Sequence, residues 1–203
     1  MIEHESHSHP HHTGLPWLDL IVAGSAIFIS IVSLIVSIHH GHTMEKLVAA
    51  NEKQVEASTL PLIRFTTGNE LENVRAVHFD LRNGGTGPAL IEWFRVSWNG
   101  QPTKGPSDLL DRCCRKQTQR GGSVWQNLAS GATLPAGQSE TIFQIRAADA
   151  DPDTYHLLDD EVRFKIEAES CYCSVLDQCW ITDFKVRPQS VKACERIPDN
   201  QRW

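Results

Sequence analysis

The sequence predicts a mainly β protein on a membrane anchor: an N-terminal transmembrane helix and helical stalk, followed by an antiparallel, immunoglobulin-like β-sandwich. Three observations carry this reading. Residues 18–38, LDLIVAGSAIFISIVSLIVSI, form a near-unbroken apolar run whose only charge is Asp19 at its entrance. At about 1.5 Å per residue such a run spans the roughly 30 Å of a bilayer's hydrocarbon core. Beyond Pro61 the apolar period shortens to two, and Gly, Pro and Asn punctuate short segments. All six cysteines, Cys113, Cys114, Cys171, Cys173, Cys179 and Cys194, fall in that later region, as expected for a domain in an oxidising compartment.

Residues 1–16, MIEHESHSHPHHTGLP, precede the anchor and carry five histidines with Ser, Pro and Gly. This composition predicts a disordered tail. The apolar run is too long for a signal peptide, lacks a basic region before it, and is followed by His39, His40, Gly41 and His42 rather than a small-x-small cleavage site. An uncleaved signal-anchor over 17–38 is expected. Ala23, Ala26, Ser30, Ser33 and Ser37 recur at alternating spacings of three and four, a stripe of small residues along one helix face. Lipid offers no hydrophobic drive for association, so such stripes are where membrane helices approach closely. The stripe continues through Gly41 and Met44 toward Val55, which predicts one helix leaving the membrane as a stalk over 39–59. The membrane is thus the first partner, and a second copy or another anchor is the second.

The β-domain is expected over 60–203. Pro61–Thr67 reads as a first strand. Val74–Arg82 alternates, with Val77, Phe79 and Leu81 on one face and His78, Asp80 and Arg82 on the other. Asn83-Gly84-Gly85-Thr86-Gly87-Pro88 is a turn. Ala89–Trp98 follows, with Leu90, Phe94, Val96 and Trp98 on one face, closed by the Asn99-Gly100 hairpin signal. Ser107 is expected to cap a helix over Asp108–Cys114. Val124–Leu128 and Ser139–Arg146 read as strands. Asp151-Pro152 starts a short helix to about Leu158. A last hairpin is expected to pair Glu161–Cys173 with Cys179–Arg187, with Phe164, Ile166 and Ala168 on one face and Cys171 and Cys173 on the other.

Cross-strand placement suits a Cys173–Cys179 bridge, and Cys113 and Cys114 are expected to serve Cys171 and Cys194. C-x-C with C-C lacks the paired C-x₂-C spacing of a zinc site, and no C-x-x-C redox motif is present. The tail histidines His4, His7, His9, His11 and His12 are of a type that binds Cu, Zn or Ni, so a transition metal is the cofactor to consider; otherwise none is expected. Asp149-Ala150-Asp151-Pro152-Asp153 imitates a calcium loop but has Thr154 where glycine is needed. NGGTG lacks the Lys-Ser/Thr of a phosphate loop. No nucleophile–base pair is marked, so no catalytic residue is expected. The net charge of −6 argues against nucleic acid.

The segments NGGTGPALIEWFRVSWNG and CYCSVLDQCW give the chain a resemblance. It resembles a group of bacterial proteins with one N-terminal anchor, a stalk, and a β-domain carrying N-x-G-x-G-P-A and a cysteine-rich closing hairpin. The resemblance spans roughly residues 17–195 and implies the architecture; the group has no assigned activity. Orientation rests on two opposed rules. Lys46 and Lys53 just after the anchor favour a cytoplasmic domain, whereas six clustered cysteines favour the oxidising side. The cysteines are the harder fact to explain otherwise. The expected protein is therefore a non-enzymatic accessory protein of the cytoplasmic membrane, its domain periplasmic, binding a partner through a sheet edge or the loops around Trp93, Trp98 and Trp125. Metal handling is the competing class.

Overall fold

The computed structural model describes residues 16–114 and 123–203. The histidine-rich tail, with His4, His7, His9, His11 and His12, lies outside the described residues. The chain divides into two compact units, residues 1–53 and 54–203.

The first unit is helical. Helix α1, Pro16–Ser58, runs 43 residues without a break, and its last turn belongs to the second unit. Leu20, Ile21, Ile27, Phe28, Leu34 and Ile35 are all exposed on it among the described residues. Among the described residues it is the helix long and apolar enough to cross a membrane. The Ser30 hydroxyl donates to the Ala26 carbonyl (2.8 Å) and Ser25 to Val22 (2.8 Å), so these polar groups are satisfied within the helix.

The second unit is sheet-rich. In one sheet β1 (Ile63–Leu71), β2 (Val74–Asn83), β7 (Ser139–Arg146) and the short β5 (Trp125–Gln126) lie in the order β1-β2-β7-β5. In the other, β10 (Gln189–Val191), β9 (Cys179–Thr182), β8 (Glu167–Cys173) and β3 (Ala89–Trp98) are neighbours in that order. Two short strands, β4 (Gln101–Pro102) and β6 (Thr133–Leu134), also pair with β3. All pairings are antiparallel. The core holds Val77, Phe79 and Leu81 of β2, as their alternation predicts, with Phe143 and Ile145 of β7 and Phe94 and Val96 of β3. Phe79 stacks on Phe143 (4.7 Å between centroids), and Phe65 meets Phe79, Phe94 and Phe184 at 5.7–5.9 Å. Trp203 is buried as well; its amide donates to the Phe94 carbonyl and its indole N–H to Thr103 Oγ1 (3.0 Å).

Three local expectations are corrected. In β3 the register slips between Ile91 and Trp93, so Ala89 and Ile91 face the core before the slip and Phe94 and Val96 after it. Leu90 therefore sits opposite the face its alternation gave it, because one extra residue inverts the period. Residues 161–165 are helical. Helix α3 (Pro152–Leu157) continues through a π-turn at Leu158–Val162 and a last turn at Arg163–Lys165. Leu158 and Val162, four apart, are buried, whereas Phe164 is exposed rather than sharing a strand face with Ala168. Helix α2 starts at Pro106 (Pro106–Cys113), with Gly105 at its N-cap and no cap from Ser107. The Asn99-Gly100 hairpin is as expected: both residues have positive φ (50° and 73°), the conformation such a turn demands.

Candidate functional site

The NGGTG turn serves structure. Asn83 is fully buried at the end of β2 and uses all its side-chain hydrogen-bonding capacity. Its Oδ1 accepts from the amides of Leu62 (3.2 Å) and Gly85 (2.9 Å); its Nδ2 donates to the carbonyls of Gly87 (2.8 Å) and Leu134 (3.0 Å). Thr86 Oγ1 donates to the Ala57 carbonyl at the end of α1 (2.7 Å). A Cβ on Gly85 would lie 2.3 Å from the Leu60 carbonyl, and one on Gly87 2.2 Å from that of Thr59. Glycine is required because backbone meets backbone there. The Asp149–Asp153 segment likewise works as a helix cap: Asp151 accepts from the Thr154 amide (3.0 Å).

The cysteines pair differently from expectation in part. Cys173 and Cys179 are direct cross-strand partners and are bridged. Cys171 is bridged to Cys194, and Cys113 to its neighbour Cys114. The expected service of Cys171 and Cys194 by Cys113 and Cys114 is thus overturned. Cys114 packs into the core beside Leu109 and Leu110, while Cys171 and Cys173 point away from that core on β8, so a β-sheet separates the two groups. The two outer bridges touch: Cys173 Sγ and Cys194 Sγ are 3.8 Å apart, and the sulfurs of Cys173, Cys179 and Cys194 all lie within 4.8 Å of one another. As thiolates these three would be close enough to hold a metal ion. Neither the sulfur contact nor the Cys113–Cys114 bridge is marked by sequence spacing.

Several concave regions flank this unit's sheets. A groove of about 410 Å³ runs beside β1, lined by Leu62, Ile63, Phe65, Phe184, Val186 and Pro188. Leu62 and Val186 are exposed at its rim. In the core, the Tyr172 hydroxyl is pushed up to about 12 by burial, against the opposing pull of the Ile63 backbone amide. Backbone amides of Lys185 and Val186 hold the Asp183 carboxyl below its ordinary range, and Glu167 raises the Lys185 ammonium by hydrogen bond and charge. A second cavity, of about 600 Å³, is lined by Trp93, Arg95, Cys171, Lys192 and Arg196.

Of the tryptophans whose surrounding loops are expected to meet a partner, Trp93 is itself buried. It is 4% exposed, covered by the segment after β10, and its indole N–H donates to the Glu195 carbonyl (2.8 Å). Trp98 packs partly against the core, and Trp125 is about half exposed. Residues Ala23, Ala26, Ser30, Ser33 and Ser37 all lie on α1 and are exposed. His78, in β2, is held by Asp80 Oδ2 (2.9 Å) and the Glu70 carbonyl (3.2 Å), with Gly68 leaving room for its ring.

No family model matches the chain, and neither a curated protein nor a solved structure matches it.

Proposed function

We propose that this is a membrane-tethered, non-enzymatic accessory protein that binds an extended segment of a partner protein along the outer edge of β1. The observation that carries the proposal is that edge. Among the described residues β1 is hydrogen-bonded on one side only, by β2. The Gly84 amide donates to the Leu62 carbonyl, which sets the phase of the ladder. Phe65 and Thr67 therefore direct their backbone amides and carbonyls outward. The groove lies alongside, with Leu62, Ile63, Phe65, Phe184, Val186 and Pro188 as its apolar wall and Arg64, Thr66 and Thr182 as its polar one. Unpaired backbone groups beside apolar pockets are what strand addition uses, the backbone giving affinity and the pockets selectivity.

The anchor holds the protein in the cytoplasmic membrane, its small-residue stripe packs on another membrane helix, and the domain faces the periplasm. The three disulfides support the last point. The order β1-β2-β7-β5 against β9-β8-β3 supports an immunoglobulin-like sandwich. A photo-crosslinking amino acid placed in living cells at Leu62 or Val186 should give a discrete crosslinked product, and one at Leu128, exposed but away from the groove, should give none. Identical patterns at all three positions would sink the proposal.

The grouped sulfurs favour one second reading, transition-metal handling with the histidine tail. It requires the sulfurs to be reduced. Stoichiometric zinc or copper in protein purified without reductant would favour it.

A further inference from the structure

We propose that Cys171, Cys173, Cys179 and Cys194 form a thiol–disulfide exchange centre, in which the two bridges trade partners through a Cys173–Cys194 bond. Separate structural disulfides have no need to touch. Here one sulfur of each bridge stands 3.8 Å from one sulfur of the other, in van der Waals contact. Exchange proceeds by thiolate attack on a disulfide sulfur, so its reactants are already adjacent. From that contact to a bond of about 2 Å a shift of only about 2 Å is needed.

Access sets the point of entry. Cys171, Cys173 and Cys179 are 1%, 7% and 6% exposed, whereas Cys194 is half-buried in the irregular segment after β10. The input is a dithiol reductant. One of its thiolates attacks Cys194 Sγ, the Cys171–Cys194 bond breaks, and Cys171 leaves as a thiolate that takes up a proton. The donor's second thiol then attacks the donor sulfur of the mixed disulfide. The donor departs as its own disulfide, and Cys194 is released as a thiolate; two electrons have passed to the protein. The Cys194 thiolate next attacks Cys173 Sγ. The Cys173–Cys179 bond breaks, Cys179 leaves as a thiolate, and the Cys173–Cys194 bond forms with no further electron transfer. The output is a thiol on Cys171 in the wall of the cavity that holds Trp93, Lys192 and Arg196, together with a β8–β9 hairpin freed of its cross-strand bridge. The centre thus converts reducing equivalents arriving at the least buried of the four cysteines into a changed surface at the most buried one.

The test uses the full chain in detergent micelles. Cys171→Ser leaves Cys194 as a thiol beside the Cys173–Cys179 bridge, and Cys179→Ser leaves Cys173 as a thiol beside the Cys171–Cys194 bridge. Each variant is held at mildly alkaline pH without added thiol, quenched with acid, alkylated and mapped by mass. Both should gain the same crossed Cys173–Cys194 peptide, with alkylation moving to Cys179 in the first and to Cys171 in the second. The native chain treated with one equivalent of dithiothreitol should give that crossed peptide with Cys171 and Cys179 alkylated together, which holds even where a variant misfolds. Retention of only native bridges in both variants, with native-pair alkylation in the partly reduced chain, would overturn the proposal. So would scrambling that reaches Cys113 or Cys114 as often as Cys194.

Discussion

Asn83 shows how a polar side chain can organise a junction. Four hydrogen bonds from one buried amide tie the end of β2 to Leu62, Gly85, Gly87 and Leu134. Asn83→Ala leaves those backbone groups unpaired away from water and should cost about 3 kcal/mol. Asn83→Asp keeps the acceptor but turns a carboxylate oxygen toward two carbonyls, and should cost at least as much. Denaturant unfolding of both variants checks this, and losses of the size seen for surface substitutions would contradict it. Tyr172 makes a second prediction at this scale. Burial raises its hydroxyl to about 12, above the ordinary value near 10, so the folded state keeps a proton that the unfolded chain gives up. Its contribution is therefore whole below about pH 10 and lost as pH rises toward 12, by roughly 2–3 kcal/mol. Tyr172→Phe should flatten that part of the stability–pH curve; equal slopes in the two proteins would contradict the assignment.

Among the elements, the ones legible in the sequence are those whose periodicity is uninterrupted. The alternation of β2, the Asn99-Gly100 turn and the apolar length of α1 each depend on one local rule. The register slip in β3 was not legible, since nothing in Leu90–Glu92–Phe94 tells an alternating strand from a bulged one until β8 pairs with it. Residues 161–165 carry two competing signals: Phe164, Ile166 and Ala168 suit a strand face while Leu158 and Val162 suit a helix, and packing decides for the helix. The Cys113–Cys114 bridge falls outside the common geometry, since bridged Cα atoms usually lie at least about 4.4 Å apart; theirs are 3.7 Å apart. The groove beside β1 joins residues more than a hundred positions apart, so no local pattern announces it. On α1, the stripe yields a test. Ser30→Ile with Ser33→Ile should leave insertion intact, Ile being more apolar, yet weaken helix contact by holding backbones apart. Phe28→Ile with Leu34→Ile, off the stripe, should be close to neutral. Self-association in a membrane two-hybrid assay should fall only for the first pair; equal behaviour of the two pairs would make the stripe a compositional accident.

In the whole molecule, an apolar helix of membrane-spanning length is joined to a β-unit whose described cysteines are all bridged. The bridges constrain that unit unequally. Cys171–Cys194 closes 23 residues and Cys173–Cys179 six, worth about 3 and 2 kcal/mol in the chain-entropy treatment, while Cys113–Cys114 closes none to speak of. These bridges persist only on the oxidising side of the membrane, so the thiol state in the cell reports orientation as well as pairing. The most direct measurement is therefore a thiol count on the full chain, acid-quenched in whole cells and tagged with a maleimide before any reduction. No tagged cysteine is expected before reduction and six after it. Six tagged cysteines before reduction would place the domain in a reducing compartment and overturn the periplasmic orientation.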